Sequence, residues 1–106
     1  MTKDRISFRN ELVKHLPKDA KKNIYFDPPE TTKLSYPCII YHEQPPSVKG
    51  ANNSHYVTHT AYRVTVIDKD PERQIAKEID QTFKHSRIIT YFTTQGLRHS
   101  VIEIFW

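Results

Sequence analysis

The chain contains a single cysteine, Cys38, so it can close no internal disulfide and build no multi-thiolate zinc site. Its two glycines, Gly50 and Gly96, stand 46 residues apart, too far to form the clustered backbone N–H cradle of a phosphate-binding loop, which argues against a nucleotide cofactor. No stretch approaches the roughly 18–20 apolar residues that cross a bilayer. The leading MTKDRISFRNELVKHLP has no continuous apolar core of the secretory kind, so the expectation is a protein made and folded in a cytoplasm. A block of one charge sign is missing too. The net charge of +4 is spread as +3 over residues 1–53 and +1 over residues 54–106. The densest basic run, Lys14 to Lys22, is broken by Pro17 and Asp19 and reads as a solvated helix end and loop rather than a nucleic-acid stripe.

Catalytic signatures are equally scarce. There is no GxSxG, and Cys38 falls inside an apolar run, where a small thiol is ordinarily inert packing. Six histidines invite a metal or acid–base reading. His55 and His59, four residues apart, would meet on a helix but stand about 13 Å apart along a strand. A cross-strand His42–His59 or His55–His99 pair is the remaining arrangement, set against histidines that simply sit on a polar surface. The sequence points to no catalytic, cofactor or metal site and to no enzyme.

What is present is one domain of 106 residues with 37% hydrophobic residues and a mean hydropathy of −0.68. A core that thin invites help from neighbouring subunits. Residues 3–16 read as an amphipathic helix, with Phe8, Leu12 and Leu16 in one stripe, Thr2 as N-cap and Pro17 as terminator. A polar connection over 17–35 includes Ile24-Tyr25-Phe26, a short extended piece. Tyr36 to Gln44 is a strand apolar on both faces, as a strand with two neighbours is. After a Pro/Asn/Gly loop, His55 to Ile67 is one long β-prone run whose first half is polar on both faces. Paired with the end of the Tyr36–Gln44 strand, it makes an extended hairpin arm over about 44–60.

Asp70 and Pro71 fit the N-cap and N1 of a second helix, with Ile75, Ile79 and Phe83 on one face, running to about His85. Arg87–Thr93 and a returning strand from Leu97 or Arg98 to Phe105 form a closing hairpin about Thr94-Gln95-Gly96, with Ile102, Ile104 and Trp106 on one face. The periodicity assigns Tyr41, Tyr62, Phe83, Tyr91, Phe92 and Phe105 to packing positions. The expected fold is therefore α+β, a single domain over 1–106. Its order is α-β-β-α-β-β, with a mainly antiparallel sheet and both helices on one side.

The N-terminal helix, the strand Tyr36-Pro37-Cys38-Ile39-Ile40-Tyr41, the 45–54 loop, the long strand and the Asp70-Pro71 helix together resemble the tail-terminator or tail-completion proteins of long-tailed bacteriophages, across nearly the whole chain. That resemblance implies a structural virion protein, assembled in the host bacterial cytoplasm. It would form a ring, typically a hexamer, at the head-proximal end of the tail, stop tube polymerisation and join tail to head. Its partners would be further copies of itself, the tail-tube protein and the head–tail connector or other neck proteins, with DNA passing through the lumen and no membrane or small-molecule substrate involved. Residues matching the long loop carry the expected ring contacts: Gln44, Pro45, Pro46, Ser47, Val48, Lys49, Gly50, Asn52, Asn53 and Tyr56. Lys49, Arg63 and Lys69 are the candidates for facing DNA. Two other readings stand beside this one: a neighbouring neck protein, either a head–tail connector or a head-completion protein, and a small basic RNA-binding protein or ribonuclease.

Overall fold

The computed structural model describes residues 4–45 and 60–106. Within them the chain forms helix α1 (Arg5–Val13), strands β1 (Ile24–Phe26), β2 (Cys38–Gln44) and β3 (Ala61–Asp68), helix α2 (Gln74–Thr82), and strands β4 (Ser86–Thr94) and β5 (Leu97–Phe105). The sheet order is β1-β2-β3-β5-β4. β1 runs parallel to β2 and every other pairing is antiparallel, so this is a mixed five-stranded sheet. The α-β-β-α-β-β order is corrected by one strand. Ile24-Tyr25-Phe26 pairs with Ile39-Ile40-Tyr41 instead of remaining an isolated extended piece.

Both helices pack on the same sheet face. Phe8, Leu12 and Leu16 meet Ala76, Ile79 and Phe83 over Ile39, Tyr41, Tyr62, Val64, Val66, Ile102 and Ile104. The two sequence stripes, spaced i, i+3 and i+4, thus converge on the strand positions that alternate inward. Phe8 is the hub. Its ring stacks on Tyr62 with centroids 4.2 Å apart and lies 5.8 Å from Tyr41, 5.4 Å from Phe83 and 5.5 Å from Trp106. Trp106 also donates its indole N–H to the Asp4 carbonyl at 3.2 Å, fastening the end of the chain to the start of α1.

Element ends differ from the sequence reading for reasons of hydrogen bonding. Thr2 lies outside the described residues; Asp4 is the N-cap of α1, its carboxylate accepting from Ser7 N at 2.8 Å. The α-helix stops at Val13, and single-turn bonds carry the chain on to a buried Leu16. β2 begins at Cys38 rather than Tyr36, since Pro37 has no N–H to give a ladder. α2 begins at Gln74, not Pro71, and ends at Thr82. Arg73 takes a left-handed φ of 54°, and Asp70 instead ties the turn together, accepting from Glu72 N at 2.9 Å and Gln74 N at 3.1 Å. The closing hairpin turns at Gln95 and Gly96, with φ of 52° and 77°; this two-residue, doubly left-handed turn matches the twist of paired strands.

Candidate functional site

The second face of the sheet has no helix on it among the described residues. Side chains alternate, so the cross-strand registers define that face: Ile40 and His42 on β2, Arg63, Thr65 and Ile67 on β3, His99, Val101, Glu103 and Phe105 on β5, and Arg87, Thr90 and Phe92 on β4. Its centre is apolar, with Ile67 and Val101 buried by their neighbours. Along one flank the connection after β1 lies against it, where Pro28, Pro29, Thr32 and Leu34 face Ile40 and His42 around a recess.

One row crosses four strands of this face. Arg63 stands opposite His42 and Glu103, and Glu103 opposite Arg87. Arg87 Nε lies 3.2 Å from Glu103 Oε1. With its amide turned so that each end meets its complement, Gln44 accepts from Arg63 Nε at 2.8 Å and Nη2 at 2.9 Å and donates to Glu103 Oε2 at 3.0 Å. The row is thus a continuous polar network, and each charged group has a partner of opposite or complementary kind.

A second concavity lies on the opposite side of the molecule, between the end of α1 and the start of α2. It is an open groove of about 570 Å³ with Leu16, Pro37 and Ile75 among its apolar lining and His15, Asp68 and Glu78 among its polar lining. His15 Nδ1 is 3.7 Å from Glu78 Oε1. Asp68 is buried at the rim, and desolvation holds its carboxyl above the ordinary range although its Oδ1 accepts from Asp70 N at 3.1 Å. Asp70 is pulled the other way by the Glu72 and Gln74 amides it accepts. These carboxylates are occupied in holding the turn between β3 and α2. Cys38 is wholly buried, and burial pushes its thiol up to about 12, so it stays protonated at neutral pH.

The sequence candidates disperse. Pro46, Ser47, Val48, Lys49, Gly50, Asn52, Asn53 and Tyr56, with most of the expected arm, lie outside the described residues. Pro45 is exposed, whereas Gln44 pairs with Ala61 inside the ladder and directs its side chain into the polar row. Arg63 lies near the start of β3 and Lys69 just beyond its end at Asp68. Arg63 is half-buried in the row, and Lys69 is exposed in the turn that follows. Each expected histidine pair has one member, His59 or His55, outside the described residues; of the other two, His42 stands opposite Arg63, and His99 stands opposite Ile67 and stacks on Phe92 with centroids 4.5 Å apart.

Three aromatic residues assigned to the core are surface groups: Tyr91, Phe92 and Phe105 are 44%, 47% and 44% exposed. β4 is an edge strand, and Phe105 belongs to the face without helices. Arg73, a residue the sequence reading passed over, organises the β4 side. Its guanidinium lies 4.3 Å from the Tyr91 ring centroid and donates to His99 O at 2.7 Å and Ser100 Oγ at 2.9 Å. Compared with known proteins, the chain matches no family model, no curated sequence and no solved structure.

Proposed function

We propose that the protein is a structural subunit that assembles with further copies of itself into a ring, and that the ring terminates a phage tail tube and joins it to the head. The observation that carries this reading is the sheet's asymmetry. One face is closed by two helices, and the other combines an apolar centre, a polar row and exposed Phe92 and Phe105 with no covering helix among the described residues. A ring subunit needs such a surface, because each copy must meet its neighbours through different patches of itself. The resemblance in element order and size supplies the particular assembly. Lys69, exposed beyond the end of β3, is the described basic candidate best placed to face DNA in transit, since Arg63 is occupied by Gln44.

The test is the absolute mass of the purified chain over a concentration series, by light scattering after size exclusion, with tail-tube protein added in a second series. The expected result is a ring that forms alone or on the tube and limits tube length. A chain indifferent to tube protein that instead binds head connectors belongs to a neighbouring neck position. Salt-dependent RNA binding, lost on replacing one histidine, overturns the structural reading altogether.

A further inference from the structure

Strand β4 leaves one side of a nine-residue backbone without a neighbouring strand among the described residues. Where its groups point follows from the adjacent ladder. Thr60 and Trp106 exchange two backbone bonds, of 3.3 and 2.8 Å, so Trp106 turns towards β3. In an antiparallel ladder the next residue turns the other way, and Phe105 N donates to His85 O at 2.8 Å. Carried along the register, the alternation turns Val101, His99 and Leu97 towards β4, where Thr90, Phe92 and Thr94 meet them. Tyr91 and Thr93 therefore aim their N–H and C=O groups outwards.

We propose that this edge pairs, antiparallel, with the same edge of a second copy about a two-fold axis at Phe92. Tyr91 and Thr93 of each chain then bond the backbone of Thr93 and Tyr91 of the other. Phe92 faces Phe92 in a non-hydrogen-bonded position, where side chains approach most closely, and Thr90 faces Thr94. In an isologous contact each residue i meets j and j meets i, so the segment Thr90-Tyr91-Phe92-Thr93-Thr94 must complement itself, and here it sets Thr against Thr, Tyr against Thr and Phe against Phe. It holds no charge to repel its copy. It also holds no Lys, Pro or inward charge of the kind that blunts natural edges; the bulge at Ile89, which does blunt an edge, lies before the segment and limits the open stretch to Thr90–Thr94.

The opposite edge of the sheet offers much less. β1 has three residues, and the Arg5 guanidinium covers its Phe26 ring at 4.6 Å. A two-fold contact cannot by itself propagate a ring. The β4 contact is therefore a different contact from the one that closes a ring, although Phe92 belongs to both surfaces, and it does not rest on the proposed function.

Sedimentation of the full chain over a concentration series is expected to show a monomer–dimer equilibrium. Thr93→Pro removes an outward N–H while sparing the ladder to β5, and Phe92→Lys sets two like charges face to face. Each is expected to raise the dimer Kd about tenfold or more while a cooperative thermal transition is retained. Register is read by crosslinking: under an added disulfide oxidant Phe92→Cys should give a covalent dimer, because opposed non-hydrogen-bonded residues lie within disulfide reach. Thr90→Cys, whose partner is Thr94, should not. That comparison holds even if Thr93→Pro fails to fold, since neither cysteine variant alters the backbone. A monomer at every concentration, a dimer insensitive to both substitutions, or equal crosslinking of the two cysteine variants would overturn the proposal.

Discussion

The two faces of the sheet are built on opposite principles. Beneath the helices, five aromatic rings and an aliphatic layer exclude water around Phe8, and among the described residues the one buried charged side chain, Asp68, sits at the rim. On the other face, charges cross three strands as Arg63, Glu103 and Arg87, and Gln44 on a fourth strand bridges Arg63 to Glu103. Apolar burial is non-directional and scales with area, whereas a polar row works only in one register. The helix face therefore carries most of the stability, and the polar row of the open face carries alignment of the strands.

The largest expected effect tests the first half of that contrast. Phe8→Ala removes a fully buried ring that touches four others and should cost about 3–5 kcal/mol, a large share of the stability of a small domain. Denaturant unfolding measures it, and a loss below about 1 kcal/mol would mean the helix face is not the principal core. On the open face, Glu103→Gln keeps the shape of the side chain but weakens its bonds to Arg87 and Gln44. Its expected cost is about 1 kcal/mol, with the β3–β5 register intact.

How much of this contrast can be read from sequence depends on whether a feature is local. The stripes Phe8-Leu12-Leu16 and Ile75-Ile79-Phe83 announce both helices and their buried sides, and Thr94-Gln95-Gly96 announces the hairpin turn. Alternation also groups Ile102, Ile104 and Trp106 correctly. It says which residues share a face but not whether anything lies over that face, which is why Tyr91, Phe92 and Phe105 are assigned inwards and prove to be exposed. β1 is too short to show a period, and its parallel pairing depends on β2, a remote part of the chain. Gln44 and Arg63 are named from the sequence as outward contacts. Their union with Glu103 and Arg87 depends on a register that no single strand encodes.

Asp68 sharpens the comparison through pH. Desolvation, opposed by Arg73 and Arg98, raises its folded pKa, so the folded protein holds this proton more tightly than the unfolded chain does. Stability contributed by this group is therefore present below the unfolded value, near about 3.9, and is lost as the pH rises through the raised folded value. Asp68→Asn should raise Tm at pH 7, and its advantage over the native chain should shrink as the pH falls towards 3. An advantage that persists unchanged in acid would locate the effect in packing rather than in the buried charge.

The smallest effect is the most diagnostic of the open face. The Arg87 side chain is 75% exposed, and its bond to Glu103 lies at the solvent end of the row, where side-chain entropy and screening consume most of the Coulomb attraction. In the isolated monomer Arg87→Ala should therefore change stability by no more than about 0.5 kcal/mol, with little dependence on salt. Glu103 is the better-buried member of that pair, so loss of Arg87 leaves it supported by Gln44 and near Arg63. The same substitution in the assembled protein discriminates between surfaces. If neighbouring copies bury the open face, Glu103 loses its solvent as well as its partner, and the penalty should grow several-fold over that in the monomer. An equal, small penalty in both states would leave that face exposed in the assembly and shift the contacts between copies to the edges of the sheet.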